Sequence, residues 1–289
     1  MKSIKIILSI FLAAILFHGC DYVRNAQKTF TVKKPGDRKI LIEDYTGHKC
    51  GNCPAAAREL KRLDSIYKGQ IVPIAVHAGF YANVTPPTAV PPYTTNLKSQ
   101  AGTDYDNTFG NSAAGNPNGL VSRVGFGKAS FIEQWSSWSS TVGTLNEDSA
   151  AFNISITNSY NSSSNQVTSR VRCKATRLKS GTFNLVVLMT EDSIFAEQID
   201  YSLPGCCQYI TNYQFNHVLR GAINSSWGDP ILTAGTFNKN DSIVKIYSNF
   251  QLSASWKYKH CKIIAYVYDA DASSPTHYEV LQVESKDVW

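Results

Sequence analysis

The hydrophobic pattern divides the chain into an apolar leader, a first half of buried runs and a second half of alternating strands. Ile6 to Phe17 is apolar except for Ser9, follows Lys2 and Lys5, and is closed by Gly19-Cys20. It is too short to span a bilayer comfortably but suits the core of a signal peptide. Residues 21 to 37 are polar and contain Lys34-Pro35-Gly36, which reads as a tether. Lys39 to Tyr45 and Ile71 to His77 are short apolar runs of the kind that form buried parallel strands. Between them Ala56, Leu60, Leu63 and Tyr67 share one helical face, with Arg58, Lys61, Arg62 and Asp64 opposite, and Gly69 ends the helix. Strand, helix and strand make a βαβ opening.

A Pro-, Gly-, Thr- and Asn-rich insertion follows, over about residues 78–115, with a short helix expected within Leu97 to Phe109. Leu120 to Arg123 is strand-like, and Ala129 to Leu145 is helical in character. From about residue 148 the pattern changes to period-two alternation. Phe152-Ile154-Ile156, Val167 to Ala175, Phe183 to Met189, Ile243 to Phe250 and Ile263 to Tyr268 read as antiparallel strands of a β-sandwich. The expected domains are therefore 1–20 as signal peptide, 21–37 as tether, 38–147 as an α/β domain and 148–289 as a β-sandwich.

Composition sharpens this only modestly. Hydrophobic residues make up 43% and charged residues 17% of 289, enough for sizeable cores. The formal charge of +6 includes the two leader lysines. The rest of the positive charge is scattered, which argues against a nucleic-acid partner. Seven cysteines are present. Gly19-Cys20 resembles a bacterial lipobox, which would make Cys20 the lipidated residue and anchor the protein on a membrane without a spanning helix. Cys50 and Cys53 form a pair by spacing. Cys173, Cys206, Cys207 and Cys261 remain as candidates for structural disulfides, with three possible connectivities; a vicinal Cys206–Cys207 bond would be strained, so each is expected to pair with a distant strand.

Cys50-Gly51-Asn52-Cys53 lies between a predicted strand and the helix that begins where the motif ends. A cysteine at a helix N-terminus faces free N–H groups and the positive end of the helix dipole, which favour thiolate over thiol. Lys49, and His48 when protonated, would add positive charge. Cys50 is the expected exposed attacking thiolate and Cys53 the resolving thiol. A zinc site would need a second ligand pair that the sequence does not supply, and Pro54 occupies the position a haem-binding motif gives to His. A purely structural disulfide remains the alternative.

The run Ile40 to Tyr45 followed by Cys50-Gly-Asn-Cys53 resembles the first strand and active-site turn of the thioredoxin superfamily. That resemblance implies a buried carboxylate handling the resolving cysteine's proton. Asp44 stands at the matching position, unless Glu43 points inward instead. It also implies a cis-proline shaping a substrate groove, for which Pro117 is the candidate, with Asn116 presenting backbone groups. Lys49 stands where an aromatic is usual, and the insertion before Pro117 is long. Over the mature chain, Glu43 to Pro54, Pro117 and Asn216-His217-Val218-Leu219-Arg220 resemble the outer-membrane lipoproteins related to Omp28. The resemblance implies a thioredoxin-like α/β domain followed by an all-β immunoglobulin-like sandwich, in the cell envelope and lipid-anchored at the outer membrane.

The functional expectation is thiol–disulfide exchange on exported proteins, with no metal or organic cofactor implied. Its rival is a non-catalytic surface lipoprotein that binds a partner, an outer-membrane complex or host matrix, through its sandwich. His217 with Arg220 could mark a binding patch or satisfy local groups. His77, ending a strand, could lie near Cys50 or be structural.

Overall fold

In the computed structural model, which describes residues 37–127 and 130–289, the chain opens on β1 (Ile40–Thr46), every residue of which is buried. The leader, Cys20 and nearly all of the expected tether lie outside the described residues. Helix α1 (Cys53–Tyr67) returns the chain to β2 (Ile71–His77), which pairs in parallel with β1 from Ile40↔Ile71 to Thr46↔His77. The periodicity read from the sequence is the one that packs: Ala56, Leu60 and Leu63 meet Ile40, Ile42 and Ile71. The insertion carries α2 (Gln100–Phe109) and the short α3 (Asn111–Ala114). Strand β3 (Asn118–Val121) then runs antiparallel to β1, with Gly119 opposite Asp44. A side chain at Gly119 would place its Cβ 2.5 Å from Glu43 O and 2.6 Å from the Trp138 ring, so only glycine fits. Strand β4 (Glu133–Gln134) and α4 (Trp138–Leu145) complete this half, with Trp138, Val142 and Leu145 buried against α1.

The second half consists of strands. These are β5 (Phe152–Asn161), β6 (Gln166–Ala175), β7 (Lys179–Glu191), β8 (Ile194–Ile199), β9 (Tyr209–Phe215), β10 (Val218–Ala222), β11 (Asp229–Phe237), β12 (Ser242–Gln251), β13 (Cys261–Asp269) and β14 (Val280–Asp287). The large sheet runs β14-β13-β7-β10-β2-β1-β3-β4, with β11 also paired to β7. Period-two alternation in β7 feeds two cores at once. Leu185, Val187 and Met189 face the three-stranded β12-β6-β5 sheet, whereas Val186 and Leu188 join Leu41, Val72, Ile74 and Tyr105 on the other side.

This arrangement corrects the expected fold class. Among the described residues there is no thioredoxin-like α/β domain followed by an immunoglobulin-like sandwich; the protein is mostly β, built on three sheets. The reason lies at the edge of β2. An exposed strand edge presents unpaired N–H and C=O groups. Here β10 covers it in parallel, Val218 opposite Ala75, with Ala75 N donating to His217 O at 2.7 Å. The strands of both halves thus share one hydrogen-bonded sheet, and the described residues form one compact unit. Arg38, near the start of β1, is tied to Asp148 at 2.8 Å and to Glu279 at 3.0 Å. No helix among the described residues is long and apolar enough to cross a membrane.

Candidate functional site

Strand β1 ends at Thr46 and the chain turns through Gly47 to Asn52 into α1. Cys50 N donates to Gly47 O at 2.9 Å, and Cys53 N to Cys50 O at 3.2 Å, bending the turn so that the two sulfurs meet. Cys50 and Cys53 form a disulfide. Cys53 is the first residue of α1, followed by Pro54, whose missing N–H is no loss in the first turn.

Cys50 is not the exposed residue expected of an attacking thiolate: Cys50 is 3% and Cys53 2% exposed. The β8–β9 hairpin covers them. Its backbone and side chains bind the motif directly. Ile199 N donates to His48 O at 3.1 Å, Gln198 Nε2 to Cys50 O at 3.0 Å, and Tyr201 N to Gly51 O at 2.8 Å. The Tyr201 ring lies where a side chain on residue 51 would stand, 2.4 Å from an ideal Cβ. Arg58 on α1 fastens the hairpin through Asp200 at 2.8 Å and Ser202 at 3.1 Å. The insertion closes the other flank, where Tyr93 stacks on His48 at 5.1 Å and Lys49 N donates to Tyr81 O.

Of the two charges expected around the motif, that of His48 is absent. His48 is buried, and burial lowers its pKa, so it is neutral near pH 7; its Nε2 lies 3.0 Å from Asn83 O. The Lys49 ammonium sits 4.4 Å from the centre of the exposed Phe80 ring.

Alternation along β1 decides between the two adjacent carboxylates. Glu43 shares a face with Leu41 and Tyr45 and forms a two-bond ion pair with Arg123, 2.7 Å on each arm, both side chains buried. The Tyr105, Phe109 and Tyr266 rings surround that guanidinium at 4.8–5.2 Å. Asp44 faces the other way, with Ile40, Ile42 and α1. It is 3% exposed, and its Oδ1 has no partner among the described residues. Burial raises its pKa from 3.8 to about 7.

A cavity of about 560 Å3 lies beneath the hairpin, and Asp44, Cys53, His77, Gln198, Tyr213 and His217 are among the residues that line it. His77 is buried, both ring nitrogens lack partners among the described residues, and burial lowers its pKa to about 3. Its ring packs edge-on against Phe215. The site therefore joins one sulfur of a disulfide, a carboxyl group titrating near neutrality and an uncharged imidazole around an open space.

The other residues picked out in the sequence fall elsewhere. The Asn116–Pro117 peptide is cis, and Pro117 is buried directly before β3, but neither residue lines this cavity. His217 Nδ1 lies 3.0 Å from Asp192, whereas Arg220 pairs with Glu191 at 3.2 Å and stacks on Trp256, so the two residues serve different partners. Burial favours the protonated Asp192, but the bonds from His217 outweigh it and hold the carboxyl well below its usual range. Cys173, Cys206, Cys207 and Cys261 are free thiols in this structure. Burial pushes the thiols of Cys173 and Cys261 up to about 12. Cys206 and Cys207 are exposed, their sulfurs 3.2 Å apart. That contact raises the pKa of Cys207.

Sequence reasoning missed the hairpin and with it Gln198, Tyr201 and Asp200. The signal was present as two period-two runs, Ile194 to Ile199 and Tyr209 to Phe215, split by a Leu203-Pro204-Gly205 turn. What alternation does not disclose is that such a hairpin folds over a turn far earlier in the chain, Gln198 reaching back 148 residues to Cys50.

A family model described as outer membrane protein Omp28 matches residues 103–288, more than half of the chain. That span includes Pro117 and the covering hairpin and begins after Cys53. No curated relative matches the sequence.

Proposed function

Because this chain belongs to the Omp28 family of outer membrane proteins, we propose that it is a cell-envelope thiol–disulfide exchange protein, anchored through Cys20, that acts on exported proteins. The observation that carries the reading is the shared cavity of Cys53 and Asp44. A buried carboxyl with a pKa of about 7 and an unpartnered oxygen is poised to exchange a proton with a neighbouring thiol at envelope pH.

In the dithiol form, Cys50 thiolate attacks a sulfur of a substrate disulfide, and one substrate thiolate leaves. Cys53 then gives its proton to the Asp44 carboxylate and attacks Cys50 in the mixed disulfide. The Cys50–Cys53 bond re-forms, and the substrate departs with both electrons. The N-terminal N–H groups of α1 stabilise negative charge on the cysteines throughout. Substrate reaches Cys50 only when the β8–β9 hairpin lifts, which breaks the Arg58–Asp200 pair and the three hydrogen bonds to the turn.

A second reading is favoured by one observation, the near-complete burial of both sulfurs. There the disulfide is a staple, and the protein binds an outer-membrane complex or host matrix without turnover. Equilibration of the full chain in glutathione buffers separates the two. A midpoint of roughly −120 to −270 mV for Cys50–Cys53 supports exchange. A midpoint below about −300 mV overturns it and leaves the staple.

A further inference from the structure

We propose that Cys206 and Cys207, at the tip of the covering hairpin, are a second dithiol that exchanges with the Cys50–Cys53 disulfide when the hairpin lifts. The proposal rests on the exchange reading above and gives its cover a chemical role.

Four free thiols are present among the described residues, and burial sorts them. Cys173 and Cys261 are locked in the core between the large sheet and the β12-β6-β5 sheet, beside Val171, Ile263 and Ala265. The two exposed thiols are adjacent in sequence and both ride on the hairpin that is hydrogen-bonded to the disulfide's own turn. The loop between β8 and β9 closes on itself, Asp200 N donating to Gln208 O at 2.8 Å and Cys207 N to Pro204 O at 2.8 Å. Cys207 is thus one residue from Gln208, which faces Asp200, and the next residue, Tyr201, bonds to Gly51 between the two motif cysteines. Two residue steps and two hydrogen bonds tie the vicinal pair to the residue between the motif cysteines. Release of the Arg58–Asp200 latch and of the hydrogen bonds to the turn frees this short loop to bring a sulfur to Cys50.

The exchange needs no outside reagent. One thiolate of the pair attacks Cys50 Sγ, the Cys50–Cys53 bond breaks, and its electron pair goes to Cys53. The protonated Asp44, in the same cavity, supplies the proton Cys53 takes up. The neighbouring thiolate then attacks the mixed disulfide, forming a Cys206–Cys207 bond and freeing Cys50. The reverse order returns the chain to its starting form. Two electrons and two protons stay within the molecule, and the result is to present at the surface an oxidation state held in a covered site. A protein substrate could then be met by an exposed pair without full exposure of Cys50.

The test uses the full chain. Cys53→Ala is combined with Cys207→Ser and, separately, with Cys206→Ser, so that neither Cys50 nor the remaining hairpin thiol has a resolving partner. Each variant is incubated with glutathione disulfide, quenched in acid, alkylated and mapped by mass spectrometry. The expected result is Cys50 joined to the remaining hairpin cysteine in most molecules of at least one variant. Cys50 carrying glutathione, with the hairpin cysteine not joined to it in either variant, overturns the relay. In case those variants misfold, the native motif is also examined in Cys206→Ser/Cys207→Ser, whose changes are on exposed residues. Reduction of Cys50–Cys53 by dilute glutathione should slow at least tenfold relative to wild type. Equal rates overturn the relay. If the motif's midpoint in the double variant still lies in the range of exchange catalysts, the function proposed above stands without it. If the midpoint falls in the range of structural disulfides in both proteins, the exchange reading fails and the relay fails with it.

Discussion

Replacing Asp44 by asparagine removes a buried acid whose cost to the fold depends on pH. An acid with a folded-state pKa of about 7, against 3.8 as its reference value, binds its proton more tightly in the native state. Native protein therefore holds more protons than unfolded chain between those values, so stability falls as pH rises through that window and is level above it. From pH 5 to pH 8 the loss attributable to Asp44 is about 2.5 kcal/mol, and the full penalty above pH 7 is about 4 kcal/mol. The amide side chain would keep the shape and shed the titration. Urea unfolding of both proteins at pH 5, 6, 7 and 8 measures this directly, because other titrating groups cancel in the difference. The Asp44→Asn variant should gain roughly 2 to 3 kcal/mol on wild type between pH 5 and pH 8. In the same samples, its rate of disulfide exchange should fall and lose its dependence on pH near 7. A stability difference that is the same at pH 5 and pH 8 would refute the premise that Asp44 is dry and unpartnered.

Further outcomes follow from the cover and the core. Gly51→Ala puts a Cβ into the Tyr201 ring; it should cost about 1–3 kcal/mol by overpacking and speed reduction of Cys50–Cys53 by dithiothreitol. Arg58→Ala removes the Asp200 latch on a half-exposed arm; global stability should change by no more than about 1 kcal/mol, while amide exchange over residues 194–215 accelerates selectively. Arg123→Leu strands the buried Glu43 carboxylate; a loss of about 3–5 kcal/mol is expected in chemical denaturation, with Glu43→Gln/Arg123→Leu recovering part of it.

The local elements of the first half were legible for local reasons. Strand β1, helix α1 and strand β2 are set by a buried run, a 3.6-residue stripe and a second run, and each appears close to where the pattern put it. Asp44 was legible by its offset from Cys50, and alternation along β1 then distinguished it from Glu43 only because the partners of each face were visible. Exposure of Cys50 was the opposite case. A helix N-terminus tells that a thiolate would be favoured there, but not whether a hairpin from residues 194–215 sits on it. His48 likewise looked like a positive neighbour until Tyr93 and Asn83 were found packed around it.

By itself the sequence determined where β1, α1 and β2 form, which cysteines share a turn, and which face of α1 is apolar, because these depend on residues within one or two turns of each other. Only the tertiary structure decided that β10 pairs with β2, that one sheet carries strands from both halves, and that the disulfide is covered. Strand edges and apolar faces are chemically alike, so many partners satisfy the same local pattern. The choice among them is made by whichever arrangement buries all of these surfaces together.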